Sequence, residues 1–471
     1  MSYGVGRWHS CVRGLWESLA LASEPDLVVV MIQAPPVDDV VVRYLLDVAG
    51  RARGAAAGWQ SRHALLNLAD DRDVHLSEKL LDARDVVAHL RVVLAGARGR
   101  GHLVEGLSGY ASSTRMARLA EALGLELMEA APQTLVWGTK AGSRQIFRSA
   151  AVPHPPGSYE ADHRLASLAR GVAELARTWR ADRWMIKVND GFGSGHGNAV
   201  LDVGDLDDAC SPESFVRGLR PACAATTATE FASRIAAFGA VIERLITATP
   251  GGGLRFPSAI GRLRRTPAGL IGWEILGTHE QVIGPQSDFA GCSFPALADY
   301  RGDLIRMTGQ VLGALARLGV TGHAGIDFIA RPEPPQSGAW HLDATEINLR
   351  QTGSTHPNGT VRAVVNGRWL SDGSLRDHAE REVHYTGTDS LISESYRGIS
   401  ARRLVAALLD AGSLSYDPAG TRGVVPHLWT TLEPFGKIGV TAIGRSLADC
   451  ERQERRFTAL LDRLANRQAA P

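Results

Sequence analysis

The chain has 471 residues, 44% hydrophobic and 21% charged, with 51 basic residues against 50 acidic ones and a net charge of +1. That composition is ordinary for a soluble globular protein, and the length allows two to four domains at roughly 150 residues each. The densest basic cluster, Arg262, Arg264 and Arg265, has no interleaved aromatics, so nucleic acid is not expected as a partner. The longest early apolar run, Leu27 to Ile32, is far too short to cross a bilayer, so no membrane partner is expected. Arg7, Arg13 and Glu17 occupy the place of a signal peptide's apolar segment, which makes a cytoplasmic location the expectation. Five scattered cysteines (Cys11, Cys210, Cys223, Cys292, Cys450) form no C-x-x-C pair. They read as reduced thiols and argue against a zinc site or a disulfide framework. Cys292 is the one candidate nucleophile, but no base is identifiable for it, and it reads as a buried, inert thiol.

Residues 25–32 predict a buried strand closed by Pro35 and Pro36. Helical spacing follows over 76–94 and 115–128, the pattern of an α/β first domain over 1–130. A helix within 139–158 is broken by Pro153, Pro155 and Pro156; a second spans 161–179, and a short alternating strand covers 183–188. Residues 241–246 form a short apolar strand, 270–276 and 280–284 look like sheet, and 303–318 like an amphipathic helix. A hairpin follows, 325–330 and 339–348, around a proline-rich turn. These elements make a middle domain over 131–365, with a lobe at about 150–244. Helices at 401–412 and 446–466 flank a strand-like 423–432, suggesting a closing domain over 366–471.

Two segments carry chemistry. Lys187 ends the 183–188 strand and enters a loop with Gly191, Gly193, Gly195 and Gly197. Without Cβ atoms such a loop turns its N–H groups toward an anion, and a lysine beside it reads as a phosphate cradle. The chain has only four lysines (Lys79, Lys140, Lys187, Lys437), so a compact ammonium stands here where arginine is the habit. In the hairpin, strand alternation puts Trp340, Leu342, Ala344, Glu346 and Asn348 on one face, with Asp343 on the other. Asp327 on the partner strand reaches the same patch in an ordinary register, and Arg350 follows on that side if the chain stays extended. Two carboxylates and an amide oxygen suit Mg²⁺; the bland reading is solvated strand carboxylates.

A lysine with a glycine-rich loop, a strand bearing Glu243, then Asp327 and Glu346-x-Asn348-x-Arg350, in that order, resembles the ATP-grasp superfamily. Lys140, ahead of the 151–157 turn, resembles the family's second lysine. The resemblance implies α/β and α+β architecture: an ATP-grasp core between an N-terminal α/β pre-ATP-grasp domain and a small C-terminal domain. It implies ATP and Mg²⁺ as cofactors. Lys140 and Lys187 would hold phosphates under a loop including Gly193, Ser194 and Gly195, with Glu243 and the backbone near Leu245 at the adenine edge. Asp327, Glu346 and Asn348 would ligate Mg²⁺, and Arg350 and Lys187 would act in catalysis. Two departures stand out: 247–258 has no acidic residue for the ribose, and Gly325 stands where many members have arginine, leaving more electrostatic work to Arg350 and Arg262.

The run 346–357 and the tail from Tyr385 to Ser446 resemble, more narrowly, the pheganomycin-type peptide ligases. That implies an ATP-dependent carboxylate–amine ligase working through an acyl phosphate in peptide antibiotic biosynthesis. It would join an amino-acid-like, N-guanidino acid to the free amine of a peptide; assembly as a homodimer is compatible with this. An ATP-grasp enzyme using a single amino acid or a thiol as acceptor, and a non-catalytic ATP-binding regulator, are the competing readings. His356 either serves the donor acid or amine or is a surface histidine in a proline-ended loop; His323 reads as structural.

Overall fold

In this computed structural model, residues 13–54, 59–189, 195–248, 253–284, 289–333, 339–412 and 414–469 are described. In chain order the elements are a 3-10 helix (Arg13–Ala22), β1 (Val29–Gln33), α1 (Asp39–Arg53), β2 (His63–Asn67), α2 (Leu76–Asp82), α3 (Arg84–Gly99) and α4 (Thr114–Leu123). Then come α5 (Lys140–Ser149), α6 (Leu165–Trp179), β3 (Arg183–Val188), β4 (Asn198–Asp202), α7 (Pro212–Gly218), β5 (Arg220–Pro221), α8 (Ala228–Phe238) and β6 (Ala240–Arg244). They continue with β7 (Pro257–Arg265), β8 (Ile271–Ile283), β9 (Phe289–Phe294), α9 (Ala298–Arg317), β10 (Gly322–Pro332), β11 (Trp340–Asn348) and α10 (Thr355–Val364). The last are β12 (Gly367–Trp369), β13 (Leu375–Asp377), β14 (His384–Ile392), α11 (Ala401–Asp410), β15 (Gly423–His427), α12 (Leu432–Phe435), β16 (Lys437–Gly444) and α13 (Leu447–Ala469).

The chain divides into two compact units: Met1–Pro132 with Gly291–Pro295 and Gln351–Pro471, and Gln133–Ala290 with Ala296–Arg350. The segments expected as first and last domains thus lie in one unit. In it β1 and β2 pair in parallel, while β14 runs antiparallel to both β9 and β16, and β16 to β15. Its main core joins Val41, Leu45 and Val48 of α1 to Leu404 of α11, Val440 of β16 and Phe457 of α13. Helix α1 was not foreseen, although Asp38 caps it by accepting from the Val40 N–H and Gly54 ends it at φ 61°.

The second unit holds two antiparallel sheets. One is β5-β4-β3-β6, covered by a core of Leu168, Val172, Trp184, Phe215, Phe231 and Ile242. The other contains β11, β10, β7 and β8 as neighbours. The two sheet segments expected at 270–276 and 280–284 are one continuous strand, β8. Alternation also misleads in β11. Asp327 pairs with Glu346 but Phe328 pairs with Ala344, leaving Thr345 as the extra residue of a bulge. The side-chain phase flips there, so Glu346 and Asn348 share the side of Asp327 while Ala344 falls on the side of Phe328. The single face expected from Trp340 to Asn348 does not exist.

The turn before α6 approaches β6 closely. A Cβ on Gly157 would lie 2.0 Å from the Ile242 carbonyl oxygen, whereas one on Gly204 would meet nothing within 4 Å. Gly157→Ala is therefore expected to cost about 1–3 kcal/mol in chemical denaturation, the usual penalty of overpacking. Gly204→Ala should leave the curve unmoved.

Candidate active site

The site is built around α5. Thr139 caps this helix by accepting from the Gly142 N–H, and the Asn189 side-chain oxygen accepts from the Ala141 N–H at 2.8 Å. Two of the helix's otherwise orphaned donors are thereby satisfied, and Lys140 is fixed at its first position. One turn on, the Ser143 hydroxyl accepts from the backbone N–H of Ile347 at 3.0 Å, tying α5 to β11. Lys140 then points at Glu346, its ammonium 2.5 Å from Oε1, with side chains 4% and 17% exposed.

Arg144, four residues after Lys140 and so on the same helix face, reaches a different strand. Its guanidinium lies 3.2 Å from Oε1 of Glu243 on β6, and also donates to the carbonyls of Pro155 (2.8 Å) and Ser158 (2.5 Å). The other oxygen of Glu243 is 2.6 Å from the Lys187 ammonium on β3. Met185 is the register partner of Glu243, so Lys187 and Glu243 sit diagonally across the β3–β6 pair. Burial works to raise the Glu243 carboxyl, but the Lys187 and Arg144 cations overcome it and hold the group below its ordinary range.

The oxygen patch sits where β10 meets β11. Asp327 accepts from Gln281 Nε2 at 2.7 Å and from Asn348 Nδ2 at 3.0 Å, and Arg350 donates to Asn348 Oδ1 at 2.6 Å. Burial first, and the facing Glu346 charge second, push the Asp327 carboxyl up to about 6. Burial likewise opposes the charge on Glu346, but Lys140 beside it and the further Lys187 and Arg350 cations bring it below its usual range. The Glu346 charge feels Lys187 as well as Lys140, so both lysines belong to one site. The residues fit what the fold implies. All the donors to a cation are oxygens, and the crowded charge that raises Asp327 is what a hard dication such as Mg²⁺ relieves. The four nearby cations complement the phosphates of ATP.

The structure thus brings Lys140, Lys187, Glu243, Asp327, Glu346, Asn348 and Arg350 together. Gly193 and Ser194 lie outside the described residues, and Gly195 opens a 3-10 turn, Gly195–Gly197. The Glu243 carboxylate is occupied by Lys187 and Arg144, so this residue positions Lys187 and is not turned to an adenine. Leu245 directly follows β6, and its N–H donates to the Arg183 carbonyl at 3.2 Å. Arg144, Asn189 and Gln281 escaped the sequence reading. Only Arg144 gave a signal, its helical spacing from Lys140. Cys292 is 2% exposed and its thiol is pushed up by burial, as expected of an inert group. His356 is 3% exposed on α10, not a surface loop residue. Among the described residues no helix is long and apolar enough to cross a membrane.

The chain carries the ATP-grasp fold. Residues 133–219 match the family model "IQCH-like, ATP-grasp", and 403–457 match "PGM1 C-terminal domain". The chain is similar to the L-propargylglycine--L-glutamate ligase of Streptantibioticus cattleyicolor, 28% identical over 445 residues, 93% of this chain and 86% of that protein. The ADP complex of N5-carboxyaminoimidazole ribonucleotide synthetase superposes with a TM-score of 0.51 at 13% identity, over 95% of this chain and 94% of that one. The biotin carboxylase of Campylobacter jejuni gives a TM-score of 0.51 at 12% identity, over 93% and 86%.

Two outcomes follow from this geometry. Glu243→Gln strands two buried cations and is expected to cost about 3–5 kcal/mol of stability, measured by denaturant unfolding. The folded pKa of Asp327, about 6, lies above its unfolded value of 3.8, so its stabilising contribution is full below about pH 4 and lost as pH rises through 6. Without metal, Asp327→Asn should therefore raise stability relative to wild type by about 3 kcal/mol at pH 7 and by little at pH 4. Melting curves across that range check it.

Proposed function

We propose that the protein is an ATP-dependent carboxylate–amine ligase. The carrying observation is the convergence of Asp327, Glu346 and Asn348 with Lys140, Lys187 and Arg350 in one site. When bound, Mg²⁺ would be held by Asp327, Glu346 and Asn348 and would neutralise phosphate charge.

A carboxylate is a poor electrophile, so the donor acid's oxygen attacks the γ-phosphorus of ATP and ADP departs, leaving an acyl phosphate. Lys140 and Lys187 offset the charge spread over the transferring group, and Glu243 keeps the Lys187 ammonium at its post. The amine then attacks the acyl carbon, the C–O bond to phosphate breaks, and the amine's proton leaves to solvent or a base. Arg350, whose fork already reaches Asn348, offers paired donors to the departing phosphate. No protein nucleophile is required, in keeping with the inert Cys292.

The finer reading comes from the resemblance to the pheganomycin-type ligases. An amino-acid-like donor, N-guanidinylated, is joined to the N-terminal amine of a peptide in antibiotic assembly, with ATP going to ADP and phosphate in the cytoplasm. The name of the Streptantibioticus relative, which couples two amino acids, favours a second reading in which the acceptor is a single amino acid.

ADP release with Mg²⁺-ATP, measured over a panel of amino and N-guanidino acids with amino acids or short peptides, tests both. Release that needs acid and amine together, with a product one water lighter than their sum by mass spectrometry, supports ligation, and the acceptor that works separates the readings. Tight ATP binding without turnover across the panel would support a regulator instead. Arg350→Ala and Lys187→Met are expected to lower kcat by at least about 100-fold, as losses of charge stabilisation do, with the fold intact by circular dichroism.

A further inference from the structure

A second cluster of chemistry-bearing side chains lies in the other unit and includes no residue that the nucleotide chemistry uses. His356 stands near the start of α10, Asp389 on β14 and His427 at the end of β15. Nε2 of His427 is 2.8 Å from Nε2 of His356 and 2.8 Å from Oδ1 of Asp389, and the third side of the triangle, His356 to Asp389, is 3.3 Å. The three side chains are 4%, 5% and 13% exposed, in the order His356, Asp389, His427.

Hydrogen bonds alone do not satisfy this triangle. A neutral imidazole carries one N–H, and a carboxylate only accepts. If both Nε2 atoms carry protons, two donors face each other at 2.8 Å; if one is bare, its lone pair faces the carboxylate oxygen. A cation takes all three lone pairs at once. Ligand atoms held about 2.0–2.2 Å from a metal at angles between octahedral and tetrahedral are themselves on the order of 3 Å apart, the spacing seen here.

The backbone is shaped to make the triangle. In the β14–β16 ladder Thr388 pairs with Val440 and Leu391 with Ile438, so Asp389 and Ser390 together face Gly439. Such a bulge re-aims a side chain. Gly439 is also the register partner of His427, and a Cβ on it would sit 2.0 Å from His427 Nε2. The bulge directs Asp389, and the glycine admits the imidazole beside it. Both histidines line a small, mostly apolar cavity with Leu15, Trp16, Leu45 and Trp429, with room for about one water. Nδ1 of His427 is buried and, among the described residues, unpartnered; water is one usual partner for the second nitrogen of a metal-bound imidazole.

We propose that His356, Asp389 and His427 form a site for a divalent transition cation of the Zn²⁺ class, with at least one coordination position left for water. Two imidazoles and one carboxylate suit Zn²⁺, Co²⁺, Mn²⁺ or Fe²⁺, whereas Mg²⁺ belongs to the all-oxygen patch on β10 and β11. The cation would clip a helix and two strands from distant parts of the sequence.

The test uses the full chain, stripped by chelator and titrated with Co²⁺ in excess Mg²⁺, followed by visible absorption and metal analysis. The expected result is about one equivalent bound with the d–d bands of a low-coordinate site. Asp389→Asn and His427→Gln should each weaken binding at least about tenfold, as lost metal partners do, while Glu346→Gln leaves it unchanged. X-ray absorption on the wild-type zinc form should show imidazole scatterers, which needs no variant to fold. The proposal is overturned by an absence of saturable binding in the wild type, by oxygen-only coordination, by binding that survives both substitutions, or by binding that Glu346→Gln abolishes.

Discussion

The candidate active site depends on one helix turn carrying two cations to two different acids. Lys140 and Arg144, four residues apart, hold Glu346 on β11 and Glu243 on β6, and Glu243 in turn holds Lys187 on β3. Each ion pair is substantially buried, where desolvating a charge is expensive and an unmatched partner more so. The arrangement therefore tolerates little rearrangement around α5. Its caps matter for the same reason: Thr139 and Asn189 fix where the helix begins, and hence where Lys140 points.

The same logic sets the electrostatics of the oxygen patch. Asp327 and Glu346 face each other in register, and the protein resolves the conflict unequally: Lys140 keeps Glu346 ionised, while burial and the Glu346 charge raise Asp327. Gln281, Asn348 and Arg350 supply hydrogen bonds that hold the patch in order. A site of this kind is preorganised for a dication and for phosphate, since its ligands are already oriented and its surplus negative charge is already costly.

Much of this was legible in the sequence because it is local. Strand β3 alternates and carries Lys187 just before its last residue; β10 and β11 lie on either side of a proline-rich stretch of sequence; the spacing of Glu346, Asn348 and Arg350 survives in the fold. What was not legible depends on partners far along the chain. The Thr345 bulge is a property of pairing with β10, and alternation alone placed Ala344 on the wrong side. Arg144 and Gln281 are ordinary residues until Glu243 and Asp327 are brought to them. Residues 366–471 read as a separate closing domain, yet fall in one compact unit with the first 132 because their core is shared with α1. Cysteine spacing spoke only of thiols and was blind to His356, Asp389 and His427, which a bulge and Gly439 assemble.

The most direct test of the account is the fate of the donor's carboxylate oxygen. With a donor acid labelled with ¹⁸O in its carboxylate, turnover through an acyl phosphate must carry one labelled oxygen into inorganic phosphate. Label found there, in step with ADP release, is the predicted result. Unlabelled phosphate, with the departing label recovered in AMP instead, would contradict γ-phosphoryl transfer and the role given to the cations around α5.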